Sequence, residues 1–182
     1  PDLHERLERV LAATKPGLVV ACYGMNCGIY HPLSEERFAA YRNGIERLRE
    51  ACDQHGAGVL HLTPPVFDPE PIRAKVLPAG LADYPRPFEG YNAVLDRYAA
   101  WLVGKSGDGW IVVDVHEPMN RFIASRRKQD AAFRLANDGV HLNETGHWLM
   151  AREVIGSLSP EPASQESAAT LLASHPNGRA VH

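Results

Sequence analysis

Apolar residues recur along this chain at two spacings, one that suits the inner face of a helix and one that suits a buried strand. Leu3, Leu7, Val10 and Leu11 fall at helical intervals among Glu5, Arg6, Glu8 and Arg9, which predicts a helix from Asp2 to Thr14 ended by Lys15-Pro16-Gly17. Leu18-Val19-Val20-Ala21-Cys22-Tyr23 is a continuous apolar run, the pattern of a strand buried on both faces. A turn, Gly24-Met25-Asn26-Cys27-Gly28, leaves it. Ser34 then precedes Glu35 and Glu36, a helix start whose inner face continues through Phe38, Tyr41, Ile45, Leu48 and Cys52 to about Gln54, with Gly56 closing it.

The same order repeats twice. Val59-Leu60-His61-Leu62 predicts a strand stopped by Thr63-Pro64-Pro65. Pro64 to Gly90 reads as a long irregular loop, and Tyr91 to Val103 as a helix. Trp110 to Val115 predicts a third strand, Pro118 to Lys128 a helix, and Glu144 to Leu158 a last helix fed by the loop from Leu135 to Asn143. Apolar strands alternating with helices predict an α/β fold, a parallel sheet between helical layers. Ligands of such sheets sit beyond the carboxyl ends of the strands, so the informative segments follow Tyr23, Leu62 and Val115. Ser159 to His182, rich in Ala, Ser and Pro, reads as a flexible tail or linker after a domain spanning 1–158.

Composition removes whole classes of function. The 182 residues carry 19 Lys+Arg against 22 Asp+Glu, a net charge of -3, so no basic excess argues for nucleic acid. No apolar run has the length of a membrane span. The start, Pro1-Asp2-Leu3-His4-Glu5, is polar and does not read as a signal peptide. Cys22, Cys27 and Cys52 lack metal-ligand spacing and read as free thiols, Cys22 buried in its strand. His116-Glu117 is not followed by a second His at the zinc-binding interval, because Asn120 stands there, so neither a metal nor a cofactor is expected. Arg126-Arg127-Lys128 reads as a solvated basic run at a helix end.

Two segments carry candidate chemistry. After the first strand, the Asn26 amide can donate to a developing oxyanion, while Gly24 and Gly28 let the backbone approach a ligand. The competing reading is a plain glycine-rich turn; no G-x-G-x-x-G fingerprint follows the strand. In Asn137-Asp138-Gly139-Val140-His141, a carboxylate and an imidazole share one loop just before the closing helix. Asp138 can accept the imidazole N–H, fix its tautomer and stabilise the cation formed when His141 takes a proton. Here the competing reading is an Asn-Asp-Gly turn followed by a surface histidine. Tyr30, His31 and the loop from Pro64 to Gly90 are placed to shape a cleft, with no single residue picked out.

In this order the two segments resemble the SGNH (GDSL-type) serine esterase family. Tyr23-Gly24-Met25-Asn26 is similar to its oxyanion-hole Asn motif and Asp138-Gly139-Val140-His141 to its D-G-x-H motif. The likeness runs from about Asp2 to Leu158. It implies a three-layer α/β/α, flavodoxin-like fold, with Asn26 as oxyanion donor, His141 as general base and Asp138 as its partner. It also implies a small-molecule or carbohydrate ester as substrate.

The family's G-D-S nucleophile motif and the glycine motif after it do not occur in this sequence, and Cys27 stands where Asp commonly follows the Asn. Because those motifs lie on the family's N-terminal strands, the expectation is that the chain is the C-terminal part of the domain. Those strands and the Ser would then lie upstream of Pro1, and a further domain of the same polypeptide is the expected partner. The family's first strand lies mid-sheet, so the strand at Leu18 would be left with an open edge. The alternative from another class is a non-catalytic module that keeps a cleft for a glycan or ester ligand.

Overall fold

The computed structural model describes residues 3–158. The expected tail, 159–182, lies outside them. The main elements, in chain order, are α1 (Leu3–Thr14), β1 (Leu18–Cys22), α2 (Glu35–Gln54), β2 (Gly58–Leu62), α3 (Tyr91–Gly104), β3 (Ile111–Val113), α4 (His116–Arg127) and α5 (Glu144–Leu158). The strands form a parallel sheet in the order β1-β2-β3. Val19 lies opposite Val59 and Ala21 opposite His61, and His61 in turn lies opposite Val112. Paired residues of a parallel ladder share a face. This register therefore sends Val19, Ala21, Val59 and Val112 to one side and Leu60, Leu62 and Val113 to the other.

Each side is covered by helices, which makes the three layers. On the first side, Leu11 of α1 and Leu48, Ala51 and Cys52 of α2 close over Ala21 and Val59. Beside them an aromatic cluster joins α2 to α3 through Phe38, Tyr41, Tyr91 and Tyr98, with Phe67 at its edge. Tyr41 and Tyr98 stack with ring centres 4.5 Å apart. On the second side, Leu60, Leu62 and Val113 meet Met119 and Ile123 of α4 and Leu149 of α5. Burying one such side chain contributes about 1.5–3 kcal/mol, so these clusters rather than helix propensity hold the layers. Ser34 caps α2 as its position implies, its Oγ accepting from the Arg37 N–H at 3.3 Å.

Four expectations are corrected. β1 is not buried on both faces, because among the described residues it pairs only with β2 and no helix covers its second side; Val20 is 54% exposed. For the same reason Cys22 is exposed rather than buried. Its Sγ still lies 3.9 Å from the Thr63 carbonyl oxygen, and local burial pushes the thiol up to about 11. The loop after β2 is not wholly irregular: it contains a 3-10 helix, Glu70–Lys75, and a bridge between Leu77 and Phe88. β3 ends at Val113 and α4 begins at His116, earlier than Pro118, because the Asp114 carboxylate accepts from the backbone N–H groups of His116 and Glu117 and caps the helix.

Candidate active site

The loops that leave the carboxyl ends of β1 and β2 meet the loop ahead of α5. In the last of these, Asp138 folds back on its own segment: Oδ1 accepts from the N–H of Val140 at 3.0 Å and of His141 at 2.8 Å. Oδ2 faces His141 Nδ1 at 2.6 Å. The hydrogen bond to the His141 ring, followed by those to the two backbone N–H groups, holds the Asp138 carboxyl well below the usual carboxylate range. It therefore stays ionised and an acceptor, which makes Nδ1 the protonated nitrogen and leaves Nε2 with its lone pair. The His141 side chain is 86% exposed, so that lone pair is open to an incoming group.

A second Asp–His pair shows the contrast. His116 is buried, with Nδ1 3.0 Å from the Pro64 carbonyl oxygen and Nε2 2.7 Å from Asp96 Oδ1. Both of its ring nitrogens face protein oxygens inside the fold, so neither is open to an incoming group. It is a strut between the ends of β2 and β3 and the side of α3.

The loop after β1 is pinned from beneath. The Tyr91 hydroxyl donates to the Met25 carbonyl at 2.7 Å and accepts from the Gly28 N–H at 3.1 Å, gripping the turn on both sides of Asn26. A Cβ on Gly28 would sit 2.7 Å from that hydroxyl, which is why glycine stands there. Asn26 itself is exposed, and its Oδ1 accepts from the Tyr30 hydroxyl at 2.5 Å. Ile29 and Tyr30 both adopt left-handed backbone, φ 49 and 59. For the β-branched Ile29 that conformation is strained. Cys27, in the same turn, is half-buried, and burial pushes its thiol up, away from the reactive thiolate.

The two loops share one support. Met25, Cys27, Tyr30 and Val140 all pack on the aromatic cluster that contains Phe67 and Tyr91. Burial raises the Tyr30 phenol, and the negative charge of Asp138 raises it further. Asn26, Asp138 and His141 thus lie around one end of the sheet, as their positions after β1 and before α5 require.

Sequence reading missed the brace under the histidine loop. Asp68, 2% exposed, receives Arg127 Nη2 on Oδ2 at 2.6 Å, while Arg127 Nε donates to the Phe133 carbonyl at 2.9 Å. The Asp68 N–H donates to the Gly139 carbonyl at 2.9 Å. Arg127 is therefore not part of a solvated basic face, because its guanidinium turns back to a buried carboxylate. Its place in a run of cations hid that role, and Asp68 sits in a proline-rich stretch with no periodic signal. Among the described residues no group of His, Cys, Asp and Glu is arranged to hold a metal ion.

A sequence model of the GDSL-like lipase/acylhydrolase family matches residues 1–149. The chain belongs to that family. No curated protein sequence matches it. Solved structures with a similar fold include a catalytic mutant of an acetylxylan esterase from Geobacillus stearothermophilus, 20% identical, with a TM-score of 0.61 over 88% of this chain and 67% of that one. An alpha/beta hydrolase enzyme from the metagenome of Lake Arreo, Spain, is 22% identical, with a TM-score of 0.59 over 86% of this chain and 66% of that one. A gut microbial diltiazem-metabolizing enzyme, 16% identical and also at 0.59, is covered over 37% of its length. At these identities the likeness is one of fold. This GDSL-like chain spans about two thirds of the length of the first two. Among the described residues, no helix is long and apolar enough to cross a membrane.

Proposed function

We propose that the chain carries the Asp–His pair and one oxyanion donor of a serine ester hydrolase, whose nucleophilic Ser lies outside this sequence. The observation that carries the reading is the 2.6 Å contact between Asp138 Oδ2 and His141 Nδ1, with Nε2 left open. In this reading Nε2 takes the proton of the Ser hydroxyl as its oxygen attacks the ester carbonyl. Asp138 stabilises the imidazolium that results. The Asn26 amide donates to the carbonyl oxygen as it becomes an oxyanion, a role worth about 3–4 kcal/mol when a single such donor is removed. The imidazolium then gives its proton to the departing alcohol, leaving an acyl-enzyme. Water activated by the same nitrogen releases the acid and restores the Ser.

The open edge of β1 supports the placement of the Ser. Among the described residues β1 is paired along one edge only, and a further parallel strand on its other edge would bring its carboxyl end beside Asn26. The substrate class is a small acyl ester, an acetyl ester of a carbohydrate or small molecule among them, in keeping with the acetylxylan esterase that shares the fold. No cofactor is required for this chemistry.

The test is hydrolysis of p-nitrophenyl acetate by the protein translated with the reading frame upstream of Pro1. Turnover that depends on His141 and labelling of one Ser by a fluorophosphonate support the reading. A complete reading frame without a reactive Ser, on a protein that binds but does not cleave an ester or glycan, replaces it with a binding module.

A further inference from the structure

We infer that Tyr30 is the positioning residue for Asn26, fixing which end of its side-chain amide faces the site. The inference rests on the reading of Asn26 as oxyanion donor. A primary amide presents an acceptor at Oδ1 and donors at Nδ2, and only the donors stabilise an oxyanion. An exposed Asn rotates freely, so an unrestrained Asn26 would spend much of its time with the wrong end, or neither, toward the substrate. The Tyr30 hydroxyl donates to Oδ1 at 2.5 Å. With Oδ1 engaged, Nδ2 is the part of the amide left for an incoming oxygen, and no described residue takes it.

The rest of the loop is built to hold the phenol where it is. Ile29 and Tyr30 take left-handed backbone in succession, at φ 49 and 59, which folds the Tyr30 side chain back toward a residue four positions earlier. Two non-glycine residues in that conformation carry strain that packing must offset. The packing is present: the Tyr30 ring lies 5.0 Å from that of Tyr91 and 6.1 Å from that of Phe67, and its carbonyl accepts from the Phe88 N–H at 2.8 Å. Tyr91 in turn grips the backbone on either side of Asn26. Backbone and amide are thereby fixed by separate hydroxyls, Tyr91 for the first and Tyr30 for the second.

The experiment has two readouts. In the 15N-labelled chain, the heteronuclear NOE of the Asn26 side-chain NH2 should approach the values of the α2 backbone amides. In Y30F it should fall to that of Asn43, an exposed Asn of the same chain. In the hydrolytically competent protein, Y30F should lower kcat about 10-fold to 100-fold with KM within about twofold, the mark of lost orientation rather than lost binding. In an N26A background Y30F should then cost nothing further.

An Asn26 amide already as mobile as Asn43 in the unsubstituted chain overturns the inference, and so does one whose mobility Y30F leaves unchanged. The unsubstituted measurement needs no variant, so a Y30F chain that fails to fold still leaves the matter decidable. Loss of turnover in N26A but not in Y30F overturns the positioning role while the oxyanion reading stands. Full turnover in N26A overturns the oxyanion reading itself, and the positioning role with it.

Discussion

The carboxylate of Asp68 and the guanidinium of Arg127, 2.6 Å apart, join the segment leaving β2 to the end of α4 directly beneath the loop that bears Asp138 and His141. Asp68 is almost fully buried, whereas Arg127 keeps about a quarter of its side chain in solvent, so the two halves of the pair are not equivalent. Removing the cation strands a buried charge. Arg127→Met should therefore cost about 3–5 kcal/mol, and Asp68→Asn added to it should recover part of that loss. Urea midpoints of the single and double variants check the coupling; equal midpoints for Arg127→Met and the unsubstituted chain would show that the pair carries no stability.

Gly139 stands between the same two segments. Its φ is +80, and a Cβ there would lie 2.4 Å from the Asp68 carbonyl oxygen. Gly139→Ala meets both penalties, and the backbone, not a flexible side chain, has to move. The expected loss exceeds about 1 kcal/mol, a fall in Tm of at least about 3 °C for a domain of this size. The NMR signal of the His141 Nδ1 proton should also weaken as the loop shifts away from its brace. Thermal melts and a proton spectrum measure the two effects.

Tyr91→Phe deletes one oxygen and leaves the ring. The Met25 carbonyl and the Gly28 N–H then lose their shared partner, at a cost of about 1–3 kcal/mol for groups left unpaired in a buried place. Hydrogen exchange reads this locally: the Gly28 amide should exchange faster in the variant, while amides in β2 keep their protection.

His61 predicts a pH dependence of stability. It lies inside β2 with both ring nitrogens unpartnered among the described residues, stacked 4.8 Å from Trp110, which also carries Arg49 and Lys105 against its ring. Burial first, and then the Arg49 charge, lower its pKa from 6.5 to about 4, with Asp53 opposing weakly. A lowered folded-state value means that the unfolded chain binds the proton first. Stability should be complete above about pH 6.5 and decline as pH falls toward 4, by at most about 3 kcal/mol. His61→Leu should flatten that decline in urea titrations at several pH values.

The legible part of this protein is the part governed by periodicity. Each α-helix and strand is marked by the pattern of its apolar residues, and Ser34 caps α2 because its side chain has one local task. Asn26 and the Asp138–His141 pair stand out as candidates because each lies in a loop within a few residues of a strand end or helix start, which an α/β sheet directs to one end. What escaped depends on residues far apart in sequence. Nothing near Arg127 reveals that Asp68 waits for it, and nothing near Tyr91 reveals that its hydroxyl ends beneath Asn26. The exposure of β1 escaped for a related reason: an apolar run carries no record of which segment, if any, packs over each of its faces.

The role proposed for His141, general base of an ester hydrolase held in place by Asp138, stands or falls on one rate. That rate is the initial velocity of p-nitrophenyl acetate hydrolysis in the protein translated with its upstream reading frame, comparing the unsubstituted form with His141→Ala. Loss of turnover by about a thousandfold or more, with the melting temperature unchanged, is the expected result. Hydrolysis at the unsubstituted rate in a folded His141→Ala protein would mean that another group takes the proton.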